Sequence, residues 1–296
     1  MTENKARTRG RVRAAFAEAG VTGWLHAVDI DSGAQLDAGA DQPVVTASVH
    51  KLCLLVALHQ QAEAGRLDLS EQTTCPPRDR TPGPTGLAAM LDDVRLSLRD
   101  AAYLMMAVSD NTAADLILER VGLDAVNHTT RRLGLTRTHA VHTFREFLTL
   151  LKEDTGPGGP EALADPRVIA GLRVLDPAAT NRSTPRDMTR LLTAIWRDEA
   201  CAPEHTAAMR RLLGLQVWPH RLASGFPFDD VHVAGKTGSL PTVRNEVGVV
   251  EYPDGGRYAV AVFTRAASPA AVLPPADAVI GAAARIAVDA LRAGRG

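Results

Sequence analysis

Ser48 and Lys51 stand three positions apart in Ser48-Val49-His50-Lys51, directly ahead of the apolar run Leu52-Cys53-Leu54-Leu55-Val56-Ala57-Leu58. On a helix this spacing places both side chains on one face, with the lysine amine within reach of the serine hydroxyl. A serine alcohol becomes an effective nucleophile only when a neighbouring base takes its proton. An amine with an ordinary pKa of about 10.4 serves as that base once burial or nearby cations lower it. The apolar run supplies the burial. Taken alone, Ser-x-x-Lys at a helix start is commonly an N-cap beside a solvated lysine. Composition makes this lysine informative. Of 33 basic residues only Lys5, Lys51, Lys152 and Lys236 are lysines. The chain otherwise places arginine, which cannot be deprotonated in a protein, wherever a positive charge suffices.

Two more groups follow in order. Ser109-Asp110-Asn111 sits between two helical patterns, and by itself reads as a loop whose Ser and Asn cap the next helix. Lys236-Thr237-Gly238-Ser239 closes a strand pattern. The elements that must position these groups begin with an amphipathic helix around Val12–Glu18 and a strand over 22–30 with a turn at Asp31-Ser32-Gly33. A short strand near Val44-Val45 delivers the chain to Ser48. A proline- and arginine-rich surface loop spans 75–85, and helical periodicity is expected from Leu87 through Met106. Further helices are predicted over 113–120, 123–133, 144–152 and 185–197, with a flexible Gly/Pro excursion at 155–160. Strands over 231–235, 243–251 and 257–264 and a helix over 276–291 complete the chain. Strands at both ends with helices between them predict an α+β fold, an α/β sandwich. It is a single 1–296 domain with an antiparallel sheet lobe (1–47 and about 220–296) and an inserted helical lobe (about 48–219).

Together, Ser48-x-x-Lys51, Ser109-Asp110-Asn111 and Lys236-Thr237-Gly238 resemble the signature set of the class A β-lactamases and penicillin-binding proteins, from about Trp24 to Leu291. The interval between the first two motifs, 109 − 48 = 61 positions, is similar to the class A enzymes. Thr184-Pro185 resembles the helix start after the family's omega loop, and Asn245-Glu246 its strand continuation. The resemblance implies that Ser48 attacks an acyl carbon while Lys51 takes its proton, and that Ser109, near Lys51 and Lys236, passes a proton to the leaving atom. It implies that Asn111 bonds the substrate amide and the Lys51 amine. The oxyanion hole would be the Ser48 and Ser239 backbone N–H groups. Lys236, Thr237 and Arg244 would receive a substrate carboxylate, the arginine through its two-pronged fork, and Gly238 and Ser239 would also bind substrate. The family needs no cofactor or metal.

One departure stands out. The family's Glu-x-x-Leu-Asn, whose glutamate activates the water that releases the acyl-enzyme, does not occur between Asn111 and Ser183. Counting forward from Leu133-Gly134-Leu135, the glutamate would fall near His142 or Phe144. Counting back from Ser183 meets Asp176-Pro177. His142 and Asp176 are therefore the candidate deacylation bases, and weak or altered β-lactam hydrolysis is expected. The readings are a serine hydrolase of an ester, amide or β-lactam, an acyltransferase in small-molecule metabolism, and an acylated sensor that does not turn over.

Bulk properties narrow these readings. A net charge of −1 offers no field for nucleic acid or an anionic membrane, so the expected partner is a small acyl substrate bearing a carboxylate. The N-terminus lacks the apolar core of a secretory signal, from which a cytoplasmic location is expected. Cys53, Cys75 and Cys201 are an odd number without metal-ligand spacing and predict no disulfide. His26, His50 and His59 read as strand and helix residues without a paired ligand.

Overall fold

The computed structural model describes residues 2–267, 270 and 272–294. Helix α1 (Thr2–Glu18) leads into β1 (Val21–Asp29), β2 (Gln35–Ala38) and β3 (Val44–Val45). A 3₁₀ turn, Ala47–His50, then carries Ser48 into α2 (Lys51–Glu63). After β4 (Gln72–Cys75) and β5 (Val94–Ser97) come α3 (Leu98–Ala107), α4 (Asn111–Val121), α5 (Leu123–Arg132), α6 (Phe144–Thr155) and α7 (Pro166–Gly171). The chain continues through β6 (Arg182–Ser183), α8 (Pro185–Trp196), α9 (Pro203–Gly214), β7 (His232–Leu240), β8 (Val243–Glu251), β9 (Arg257–Ala266) and α10 (Pro274–Arg292).

The main sheet has the order β2-β1-β9-β8-β7 and every pairing is antiparallel. It is therefore built from the two chain ends, and the fold class is the α+β arrangement expected from the sequence. Strand β9 shows how two layers are held. Tyr258, Val260 and Val262 pack toward α1 and α10, whereas Ala259, Ala261 and Phe263 join the core of the helical side. This is the two-residue alternation of a strand buried on both faces.

Helix α2 is the axis of the helical lobe. Nine consecutive residues, Lys51 to His59, are buried, as befits a helix apolar all round. That burial takes in Lys51 itself, an expensive site for an amine. Cys53, Cys75 and Cys201 are buried free thiols. His26 and His59 are also buried, bonded to Thr189 Oγ1 (2.6 Å) and His205 Nδ1 (3.0 Å).

Three local expectations need correction. The helix expected from Leu87 begins only at Leu98, where the Ser97 hydroxyl caps it by accepting from Asp100 N (3.1 Å); the preceding Val94–Ser97 pairs with β4 instead. Asp110, not Ser109 or Asn111, caps α4, accepting from Thr112 N and Ala113 N. The Gly/Pro segment from Gly156 to Ala164 forms 3₁₀ turns broken at Gly159 and leads into α7. No helix among the described residues is long and apolar enough to cross a membrane.

Candidate active site

Ser48 is delivered by a segment tied on both sides. Thr46 Oγ1 donates to Asn181 O (2.8 Å), and Asn245 Nδ2 on β8 donates to Val45 O (2.9 Å). Ala47 is then held at a φ of +50°, and Ser109 at +59°. Such left-handed conformations cost a residue with a side chain of order 1–3 kcal/mol and persist only where surrounding contacts impose them. The closeness of β7 supplies one such contact. A Cβ on Gly238 would stand 2.6 Å from Thr46 O and 3.1 Å from Val49 N, so only glycine lets the strand run against the turn that bears Ser48.

Two buried amines meet at Ser109. Lys51 Nζ donates to Ser109 O (2.6 Å) and Asn111 Oδ1 (2.8 Å) and lies 3.4 Å from Ser109 Oγ. Lys236 Nζ reaches the same hydroxyl at 3.0 Å and bonds Thr237 O (2.9 Å). Burial, reinforced by the positive charge of Lys236, pushes Lys51 well below its ordinary pKa, against the opposing pull of Asp110 and Asp115. A neutral Lys51 would spend its two N–H bonds on the two carbonyl oxygens, leaving its lone pair to accept a proton. Burial also lowers Lys236, to about 7, with Glu246 opposing the shift and Arg221 adding to it. The hydrogen bonds of the Lys51 amine among the described residues run to Ser109 and Asn111.

Two cavities meet at Ser48, Asn111 and Ser239. One, about 250 Å³, runs along α6; the other, about 400 Å³, is also lined by Ser109, Thr237, Gly238 and Arg244. Arg244 is not a free fork for a carboxylate. It donates to Leu240 O and Val243 O, and its Nε lies 3.6 Å from Asp277 Oδ1. Arg221, unsuspected from the sequence, bonds Asp277 (2.6 Å), Ser239 Oγ (2.7 Å) and the carbonyls of Gly238 and Asn245. Below them Glu246 is fully buried. It accepts from Leu222 N and Gln216 Nε2 (2.7 Å each), while Gln216 Oε1 accepts from Thr237 N (2.7 Å), so the carboxylate braces the strand that carries Lys236. Burial raises Glu246 to about 7, against the lowering effects of those bonds and of Arg221 and Lys236. The position of Glu246 directly before the run Val247-Gly248-Val249-Val250 in a strand pattern was the available signal for it.

Neither candidate deacylation base lines these cavities. Asp176 is exposed on a turn, where its carboxylate accepts from Ala178 N (2.8 Å). His142 is buried with Nε2 on Thr180 Oγ1 (2.8 Å) and Nδ1 on Thr143 O (3.1 Å), and burial lowers its pKa. The residue that does stand beside Lys51 is Phe144, the other position reached by counting forward. Its ring centroid lies 4.4 Å from Lys51 Nζ. Among the described residues no group of three or more His, Cys, Asp or Glu is arranged to hold a metal ion.

A five-stranded antiparallel sheet from both termini, a helical lobe and the three motifs at their junction define the β-lactamase and penicillin-binding-protein class. More particularly, the chain belongs to the beta-lactamase enzyme family, whose model matches residues 7–291. Among curated proteins it is 34% identical over 301 residues to the beta-lactamase regulatory protein BlaB of Streptomyces cacaoi, covering 95% of this chain and 96% of that one. A beta-lactamase from Sphaerobacter thermophilus matches with a TM-score of 0.78 at 28% identity over 95% of this chain and 96% of its own. The fold is shared also with a beta-lactamase from Chitinophaga pinensis, with a TM-score of 0.81 at 21% identity over 96% and 99% of the two chains.

Proposed function

We propose that the protein is a serine acyl-transfer enzyme that acylates readily on Ser48 and releases the acyl group slowly. Ser48 Oγ forms a bond to the acyl carbon of an ester, amide or β-lactam, and the carbon's bond to the leaving oxygen or nitrogen breaks. The Ser48 proton passes to Lys51 and, through the Ser109 hydroxyl, a proton reaches the leaving atom. The backbone N–H groups of Ser48 and Ser239 stabilise the oxyanion, and Lys236 attracts a substrate carboxylate. The observation that carries the reading is the Ser109 hydroxyl between two buried amines beside Ser48, with a phenyl ring rather than a carboxylate against Lys51. This arrangement supports acylation, and among the described residues no carboxylate lines the cavity along α6 to activate water.

A second reading has support of its own. The relative from Streptomyces cacaoi is named as a regulatory protein, and a long-lived acyl-serine suits a protein that reports on an acylating compound. Transfer of the acyl group to an amine acceptor is the third outcome open to a slow deacylator. Intact-protein mass spectrometry after mixing with penicillins, cephalosporins, carbapenems and activated esters, sampled from seconds to hours, separates them. A persistent adduct on Ser48 is expected, lost in Ser48→Ala. Rapid substrate consumption with no accumulated adduct would overturn slow release, and an adduct retained in Ser48→Ala would overturn the nucleophile.

A further inference from the structure

A hollow of about 160 Å³, sharing no residue with the two cavities at Ser48, is walled by Arg131 from the last turn of α5, Arg137 and His139 from the segment after it, and Arg182 from β6. One arginine in the last turn of a helix is explained by the helix dipole, which favours a cation there. Three guanidiniums brought together from separate elements are not. Among the described residues no carboxylate lines the hollow. Two acids border the segment, and both are engaged. Asp41 holds Arg186 in a two-pronged pair (2.7 and 3.0 Å), and Asp187 accepts from Arg137 N and Thr138 Oγ1 (2.9 Å each). The guanidiniums themselves are little used. Arg137 gives one N–H to Asp41 O (2.6 Å) and Arg182 one to Pro177 O (3.4 Å), while Arg131 has no hydrogen-bond partner among the described residues. Each carries five such donors. Their charges converge on His139, whose pKa is lowered by burial and then by Arg182 and Arg131.

We propose that this hollow binds a phosphate dianion, as inorganic phosphate or a small phosphate monoester, and that the bound anion steadies the segment that delivers Ser48. Guanidinium forks match the several oxygens of a tetrahedral oxyanion, and a dianion offsets the repulsion among three like charges. The room, about five waters at roughly 30 Å³ each, admits the oxyanion with a short carbon arm and excludes a nucleotide. His139 and Arg182 exchange backbone bonds (3.0 and 3.1 Å). The residue before Arg182 is Asn181, whose carbonyl accepts from Thr46 N (3.1 Å) and Thr46 Oγ1 (2.8 Å). An anion gripped by Arg131, Arg137 and Arg182 therefore fastens the backbone from which the Ser48 turn hangs. The site stands independently of which group acylates Ser48.

The test is titration of the whole protein with inorganic phosphate and with glycerol 3-phosphate, followed by calorimetry and phosphorus NMR. Sodium acetate at matched ionic strength is the control. All titrations run in about 0.15 M sodium chloride, where diffuse attraction between exposed charges is largely screened and a built site persists. One phosphate per chain is expected, with acetate at least tenfold weaker. Arg131→Gln and Arg182→Gln should each weaken phosphate by about tenfold or more, the effect of losing one charge-assisted contact, and Arg66→Gln, at an exposed arginine outside the hollow, should leave it unchanged. Arg131 is exposed at a helix end, so its variant folds even if the Arg182 variant does not; melting curves check both. Hydrogen exchange at the Thr46, His139 and Arg182 amides should slow several-fold with phosphate bound, while the amides of α10 keep their rates.

Tighter binding of glycerol 3-phosphate than of phosphate supports a monoester as the ligand, and tighter binding of phosphate supports the free anion. Absence of saturable binding by both would overturn the site, as would acetate binding as tightly as phosphate. Binding that survives unchanged in a folded Arg131→Gln protein would move the anion elsewhere and overturn the assignment. Binding that leaves exchange at Thr46, His139 and Arg182 as it was would keep the site and overturn its link to the Ser48 turn.

Discussion

Phe144→Glu tests the argument about slow release most directly. The phenyl centroid is 4.4 Å from Lys51 Nζ, so a glutamate side chain reaching the same space would bring a carboxylate to about 4 Å from the amine. At that distance the attraction is about 4 kcal/mol at an effective dielectric of about 20, which raises the Lys51 pKa by up to about three units at 1.36 kcal/mol per unit. Acylation at neutral pH should slow as a result. A positioned general base contributes typically 10²–10⁴ in rate, so release should move the other way. The expected result is an acyl-enzyme whose half-life falls by roughly 10²-fold, measured by mass spectrometry after excess penicillin or ester is removed. Losing the buried phenyl costs about 2–3 kcal/mol of stability, so melting curves accompany the kinetics. Phe144→Ala, which opens space but adds no base, should change the half-life much less. A folded Phe144→Glu protein that acylates but keeps its adduct as long as the parent would refute the claim that a missing carboxylate limits release.

Three more outcomes follow from the site. Because burial places Lys236 at about 7, it is charged below that pH and neutral above it; acylation by carboxylate-bearing substrates should fall as pH rises through about 7, while neutral esters lack that step. Identical pH profiles for the two substrate classes would mean that the Lys236 charge is not used. Glu246, raised from 4.5 to about 7, keeps a proton in the folded state that the unfolded chain releases. Stability is therefore lost as pH rises between those values, by up to about 3 kcal/mol at 1.36 kcal/mol per unit. Glu246→Gln should recover about 2 kcal/mol at pH 8 after about 1 kcal/mol is lost at the Gln216 bond, and should be destabilised by about that 1 kcal/mol at pH 4.5, as read from denaturant midpoints. Gly238→Ala, whose Cβ meets Thr46 O and Val49 N, should cost about 1–3 kcal/mol and at least tenfold in acylation rate, measured by melting temperature and adduct formation.

The three motifs were legible because each depends on short spacing: a serine and a lysine at a helix start, a loop between helices, a strand end. The antiparallel sheet could be read from the alternating strands of the C-terminal third and the strand after α1. Helix ends were less legible. Asp110 rather than Ser109 caps α4, and Ser97 starts α3 after a strand, because a cap depends on which side chain closes on the free N–H groups, not on residue type alone. His142 and Asp176 were reasonable by counting, yet one is locked to Thr180 and the other lies on an exposed turn.

By itself, then, the sequence determined the types and order of the motif residues, the apolar run that buries α2 and the strand pattern of β9. Tertiary structure alone decided which distant groups meet them. It set Phe144 against Lys51, Arg221 and Asp277 around the second cavity, Glu246 beneath Lys236, and the cavity along α6 beside Ser48. Periodicity states that a side chain faces inward; only the packing of remote elements states what it faces, and both lysine pKa shifts and the apolar lining of the α6 cavity follow from that.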